Sequence, residues 1–202
     1  MIRKATLIGG AFTVLFLAAV LVMQNFDFLP SQAEAIGFFE ERGRSITWGA
    51  FLGGVASFCL IWFGALLARR LQSNAASVTA EAALGGSIFA AVTTALGLTF
   101  LVAGAERTVL GGGVSPEVAA ILYDLASVTV GNMAPFGFAL LTGAVVVGGR
   151  KHFPAWFVWV SGVLTIGLIS PINYAVVALV LLWIPASGIW IDRATKTEKE
   201  RV

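Results

Sequence analysis

Residues 46–70 read ITWGAFLGGVASFCLIWFGALLARR. The first 23 of these residues carry no charge, and Arg69 and Arg70 follow them directly. A helix of about 20 apolar residues spans the hydrocarbon core of a bilayer, and basic residues favour the cytoplasmic end of such a span. This segment therefore predicts a transmembrane helix whose carboxyl end faces the cytoplasm.

Further segments of similar character flank this one on both sides. The six predicted spans cover residues 5–23, 46–68, 82–103, 117–148, 154–170 and 173–191. Of the 202 residues, 58% are hydrophobic and only 12% are charged, whereas soluble domains contain about 25% charged residues. We therefore expect an all-α polytopic membrane protein, a single domain with six transmembrane helices in a compact bundle, ending in a short charged tail at residues 192–202.

The basic residues determine the predicted orientation, because short loops rich in Lys and Arg stay in the cytoplasm. With the amino terminus inside, ten basic residues are cytoplasmic, namely Arg3, Lys4, Arg69, Arg70, Arg150, Lys151, Arg193, Lys196, Lys199 and Arg201. Only Arg42, Arg44 and Arg107 are then outside. We expect both termini in the cytoplasm. Basic pairs at membrane edges indicate anchoring, so membrane lipids are expected partners and nucleic acid is not.

The composition excludes several kinds of chemistry. Cys59 is the single cysteine and His152 the single histidine, so thiolate metal clusters, bis-histidine haem ligation and an HExxH protease lack their ligands. None of the strings GxSxG, GxxxxGK[ST] or GxGxxG occurs. We therefore expect no metal site, no cofactor and no catalytic constellation.

The connections carry helix-start and helix-stop signals. Ser31 to Glu34 have the spacing of a capping box, and Gly43 is a candidate stop, so we expect a short outer interfacial helix between the first two spans. Ser115, Pro116 and Glu117 predict the start of the fourth helix. Inside that helix Pro135 predicts a kink at residues 131–135.

Small residues predict where helices pack closely. They recur at every fourth position of the third span, at Ser87, Ala91, Ala95, Thr99 and Ala103, and the second span contains Gly49 and Gly53. Trp62 and Trp183 lie deep within their spans and are expected to pack inside the bundle.

A polar cluster is predicted on the outer side. Asp124 is the one acid expected near membrane depth, and intramembrane ionisable groups are functional candidates. The topology places near it Glu106, Arg107, Tyr123, Asn132 and Asn173. We expect Asp124 to face the bundle and to be partnered by Arg107, Tyr123 or Asn132. Two interpretations stay open, a structural cluster or a site for a proton, a cation or an amine.

Four short stretches carry a family resemblance. They are AIGFFEERGR at residues 35–44, LLARRL at 66–71, ILYDL at 121–125 and FPAW at 153–156. Together they resemble a group of uncharacterised bacterial six-helix integral membrane proteins that carry a domain of unknown function. The resemblance implies a six-helix fold and a bacterial inner-membrane location, and it supplies no catalytic residues.

Three functions are compatible with these observations. The first is a non-enzymatic accessory, assembly or interaction subunit, which other membrane protein subunits would join. The second is a small transporter or binder of a lipophilic or cationic molecule that uses the polar cluster. The third is a membrane-embedded lipid-modifying enzyme, which would need an acid pair such as Asp124 with Glu106.

Overall fold

The computed structural model describes residues 4–23, 31–72 and 78–199. These residues form α1 (Lys4–Met23), α2 (Gln32–Leu71), α3 (Val78–Leu110), α4 (Pro116–Ser127), a π-helical segment (Val128–Met133), α5 (Ala134–Gly148), a 3₁₀ turn (Gly149–Lys151), α6 (Ala155–Leu168) and α7 (Asn173–Lys199). The predicted all-α class is confirmed. Outside the described residues lie Arg3 and Arg201, two of the basic residues used to predict the orientation, and residues 200–202 of the predicted tail.

Five helical stretches are long and apolar enough to cross a membrane. They are Lys4–Met23, Ala33–Leu71, Val78–Val109, Pro116–Lys151 and Asn173–Arg193. The predicted fifth span contains α6, which has 14 residues and is thus about 21 Å long, shorter than the hydrocarbon core of about 30 Å. The fold is that expected of a multi-pass membrane protein, and the count of six spans stays a prediction.

The second helix differs from its prediction. The capping box forms, with the Ser31 hydroxyl accepting from the Glu34 amide at 3.3 Å and the Glu34 carboxylate accepting from the Ser31 amide at 2.7 Å. The helix that begins there continues for 40 residues to Leu71, so the prediction of a separate interfacial helix is wrong. Gly43 serves packing instead of termination, because a Cβ atom there would lie 2.6 Å from Cγ2 of Val109 on α3.

The fourth predicted helix is interrupted in the region where a kink was predicted. It begins as expected at Ser115, whose hydroxyl accepts from the Val118 amide at 3.4 Å, with Pro116 in the first turn. The π-helical segment ends at Met133, two residues before Pro135, and the Ala134 amide donates to the Thr129 carbonyl, five residues back. A π segment accommodates one residue more than the α-helical ladder.

The helices pack around two apolar cores. One lies toward the end of the bundle that carries Arg69, Arg70, Arg150, Lys151 and Arg193, which we call the basic end. It includes Phe12, Phe63, Phe138, Phe157 and Trp183. The other core lies toward the opposite end, where the turns at residues 111–115 and 169–172 lie, which we call the turn end. It includes Met23, Phe39, Ile46, Leu98 and Tyr123.

The two deep tryptophans have different environments. Trp183 is buried, stacks on Phe157 at 5.7 Å between ring centroids and donates from Nε1 to the Ser161 hydroxyl at 2.9 Å. Trp62 is 67% exposed. The predicted inward packing is therefore right for Trp183 and wrong for Trp62.

Small residues mediate the closest helix contacts, as predicted, but only part of the α3 pattern does so. Ser87 and Ala91 are buried, whereas Thr99 and Ala103 are exposed. Four residues turn an α-helix by about 400°, so each successive residue of the pattern is rotated by about 40° around the helix axis. Over the whole pattern the side chains therefore turn away from the bundle. At one close crossing the backbones of Gly86 on α3 and Gly137 on α5 meet, and a Cβ on Gly86 would lie 2.6 Å from the Gly137 carbonyl oxygen.

Candidate functional site

A cavity of about 680 Å³ lies at the turn end of the bundle. Residues from α1, α2, α3, α4, the π segment and the start of α7 line it. Its polar lining residues are Thr94, Asp124, Ser127, Asn132, Asn173 and Tyr174, and its apolar ones include Phe16, Val20, Met23, Leu98 and Leu101. The cavity therefore combines polar groups with hydrocarbon walls, as small-molecule sites commonly do.

Three of the six predicted cluster residues line this cavity, namely Asp124, Asn132 and Asn173. Tyr123 does not, because it is buried on another face of α4 and packs edge-on against Phe38, with 5.3 Å between ring centroids. Tyr123 therefore belongs to the contact between α2 and α4.

Glu106 and Arg107 also lie away from the cavity. Both are exposed near the end of α3, and within the described residues no ion pair joins Arg107 to Asp124. Arg107 is three residues from the end of α3, whereas Asp124 is eight residues into α4. Where two antiparallel helices share a turn, this difference of five residues offsets the two side chains by about 7 Å along the axes. The expected Asp124–Arg107 pair is therefore not formed.

The π segment explains why Asp124 and Asn132 share the cavity. In an uninterrupted α-helix eight residues turn about 800°, which would leave the two side chains about 80° apart. The π segment takes up one residue, so the rotation from Asp124 to Asn132 corresponds to about seven α-helical steps. Seven steps turn about 700°, which leaves the two side chains only about 20° apart around the helix axis. The interruption thus turns both side chains toward the same space.

Several polar side chains around the cavity have no hydrogen-bond partner in the part of the chain that the structure describes. The side chains of Thr94, Asp124, Asn132 and Asn173 form no hydrogen bond with any residue in the described ranges. Asp124 and Asn132 are exposed, so the expectation that Asp124 is enclosed by the bundle and partnered there is wrong, whereas Thr94 and Asn173 are only 4% and 9% exposed. The cavity therefore offers hydrogen-bonding capacity that a bound molecule can use.

Thr94 was not among the predicted site residues. Its neighbour Thr93 bonds to a carbonyl one turn back, donating to that of Phe89 at 2.8 Å. Thr94 lines the cavity instead. Adjacent residues on a helix point about 100° apart. The sequence therefore indicates that Thr93 and Thr94 face different surroundings, but it does not indicate which of them faces a cavity.

Two further observations concern metal ligands and similarity to known proteins. Within the described parts of the chain, no group of three or more His, Cys, Asp or Glu side chains is placed to hold a metal ion. Comparison of the chain with protein families, with curated proteins and with solved structures found no match. The resemblance to bacterial six-helix membrane proteins therefore stays a prediction, and the site is argued from its geometry.

Proposed function

We propose that this protein is a non-enzymatic multi-pass protein of the bacterial inner membrane, with six spans and both termini in the cytoplasm, that binds or transports a small amphipathic cation. The observation that carries this proposal concerns Asp124, Asn132, Asn173 and Thr94, which line one partly apolar cavity and whose side chains form no hydrogen bond among the described residues. An ammonium group would donate hydrogen bonds to these oxygens and would pair with the carboxylate. Phe16, Val20 and Leu98 would contact its hydrocarbon part.

The proposal is tested by comparing two ligands with the same hydrocarbon tail. Dodecylamine, which is cationic at pH 7, should raise the melting temperature of the purified protein, and the uncharged dodecanol should raise it less. Asp124→Asn should abolish the difference between them. Glu106→Gln is the matched control, because Glu106 is an exposed acid outside the cavity. Equal stabilisation by both ligands, or loss of the difference in the control, would contradict the proposal.

The alternative of a lipid-modifying enzyme receives less support from this geometry. It requires an acid and a base side by side, and Asp124 is the sole acidic residue among the described residues that line the cavity. Glu106, the second acid of that interpretation, is elsewhere on the surface.

A separate observation favours an accessory or interaction subunit as the second candidate. One face of α2 exposes large side chains at alternating spacings of three and four residues, Trp48, Phe51, Val55, Phe58 and Trp62. This spacing is the one that packs against a partner helix. Photo-crosslinkers at Phe51 and Phe58 should then capture one protein in fixed stoichiometry, whereas a crosslinker at the exposed Ile166 of α6 should capture only lipid. Lipid alone at all three positions would contradict this candidate.

A further inference from the structure

A second open space, separate from the cation cavity, runs along α5 between α3 and α6. This groove has a volume of about 520 Å³. Its lining includes Val78 and Thr79 of α3, Gly143 and Val147 of α5, and Thr165 and Ile169 of α6. Most of its outer edges are well exposed, Val147 at 75% and Ile169 at 58%, so the groove is open to whatever surrounds the bundle.

The surface inside the groove is hydrocarbon. The Thr165 hydroxyl lies 2.9 Å from the Thr142 hydroxyl and donates to the Ser161 carbonyl at 2.8 Å. Its methyl carbon Cγ2 lies 3.5 Å from where a Cβ of Gly143, another lining residue, would be. The Thr165 hydroxyl therefore already has hydrogen-bond partners within the protein. An apolar molecule in the groove would not break these bonds.

The α5 wall of the groove is about as long as one leaflet of a membrane is thick. Along α5 the lining extends from Phe136 to Val147, which corresponds to about 16 Å of helix. Half of a hydrocarbon core of about 30 Å is about 15 Å. The α5 wall is therefore long enough to contact a single acyl chain over the depth of one leaflet.

Two basic residues follow the α5 wall of the groove in the chain. Val147 is followed after three and four residues by Arg150 and Lys151, both exposed in the 3₁₀ turn at the basic end. Glu81, in the first turn of α3, is the acid nearest in sequence to the groove, and it is not a lining residue. Basic pockets at a membrane surface bind anionic lipid head groups.

We propose that this groove binds an anionic phospholipid, with an acyl chain along α5 and the phosphate at Arg150 and Lys151. The match in length accounts for the chain, and charge complementarity accounts for the head group. This site is distinct from the cation cavity, because no residue lines both spaces.

The test uses the full chain in mild detergent and counts retained lipid by native mass spectrometry. Phosphatidylglycerol should bind in preference to phosphatidylcholine with the same acyl chains, and inorganic phosphate alone should not raise the melting temperature. The double variant Arg150→Gln/Lys151→Gln should weaken phosphatidylglycerol binding on the order of twenty- to thirty-fold, since each basic residue near an anionic lipid contributes about fivefold. Lys4→Gln/Arg193→Gln, on α1 and α7, loses the same charge away from the groove and should bind as the parent does.

A second variant tests the acyl-chain position. Gly143→Leu fills the groove without removing charge, and its melting temperature without lipid shows whether it is folded. It should lose phosphatidylglycerol even with both basic residues present. Four outcomes would each overturn the proposal. The two lipids could bind equally well, or inorganic phosphate alone could raise the melting temperature as much as phosphatidylglycerol does. The Lys4/Arg193 control could lose as much lipid as the Arg150/Lys151 variant, or folded Gly143→Leu could bind lipid fully.

Discussion

The hydroxyl of Thr13 on α1 donates a hydrogen bond of 2.8 Å to the carbonyl oxygen of Leu181 on α7. Leu181 precedes Pro185 by four residues, and proline has no amide hydrogen with which to complete the helical bond to that carbonyl. The first helix therefore supplies the donor that the last helix lacks. This contact stabilises the proline inside α7 and joins the two ends of the chain.

Thr13→Val should therefore destabilise the protein by about 0.5–2 kcal/mol, the range of interhelical hydrogen bonds in membrane proteins. Thr99→Val is the matched control, because the exposed Thr99 hydroxyl only bonds back to the Ala95 carbonyl. Pro185→Ala restores an amide donor for Leu181, so Thr13→Val should cost less in that background. Equilibrium unfolding in mixed detergent compares the parent with these three single variants and the Thr13→Val/Pro185→Ala double variant. An equal cost of Thr13→Val in both backgrounds would show that the hydroxyl does not compensate for Pro185.

The crossing of α3 and α5 provides a pair of neighbouring test positions. A Cβ on Gly86 would lie 2.6 Å from the Gly137 carbonyl oxygen, whereas a Cβ on Gly85 would meet no atom within 4 Å. We expect Gly86→Ala to destabilise the protein by about 1–3 kcal/mol through overpacking, and Gly85→Ala to be neutral or stabilising. Thermal unfolding in detergent separates the two variants. Similar melting temperatures would mean that the two helices do not approach this closely.

The sequence predicted the features that depend on neighbouring residues. Apolar runs gave the helices, and the side chains of Ser31 and Ser115 marked helix starts that the structure contains. Gly43 was misinterpreted because a glycine ends a helix or permits a close contact depending on its partner. Here the partner is Val109, 66 residues away on α3, and local sequence holds no information about it.

The candidate site was predictable to a similar extent. Asp124, Asn132 and Asn173 were chosen for their chemistry and do meet at one cavity. Arg107 was expected beside Asp124 because both belong to the same outer region, but their heights on α3 and α4 differ. The π segment rotates Asn132 toward the face of Asp124. This rotation depends on which backbone hydrogen bonds form, and the residue types alone do not specify it.

Asp192 of α7 caps the start of α1 and was not singled out by the sequence. Its carboxylate accepts from the amides of Ala5 at 3.1 Å and Thr6 at 2.9 Å, and from the Thr6 hydroxyl at 2.7 Å. Asp192→Asn should cost about 1 kcal/mol, because a neutral amide interacts less with the positive end of a helix. Hydrogen exchange at Ala5 and Thr6 should accelerate. Glu81→Gln removes an exposed acid elsewhere and should leave that exchange unchanged, and unchanged exchange in Asp192→Asn would contradict the capping role.

The π segment leads to a prediction about deletions. If Val128–Met133 contains one residue beyond the α-helical ladder, deleting Gly131 converts the segment to α-helix and leaves α4 and α5 in their present orientations. Asp124 and Asn132 would still share a face, so dodecylamine should still stabilise the shortened protein. Gly131 suits this test, because it has no side chain and a Cβ there would meet no atom within 4 Å.

Deleting Leu140 is the matched comparison, because it removes one residue from the regular part of α5. The residues on one side of the deletion must then rotate by about 100° relative to those on the other, which moves Leu141, Ala144 and Val145 out of the core they now occupy. We expect the Gly131 deletion to elute as a monodisperse species with a melting temperature near that of the parent, and the Leu140 deletion to aggregate. Equal damage from both deletions would show that Val128–Met133 is required as a π-helix and does not merely hold an extra residue.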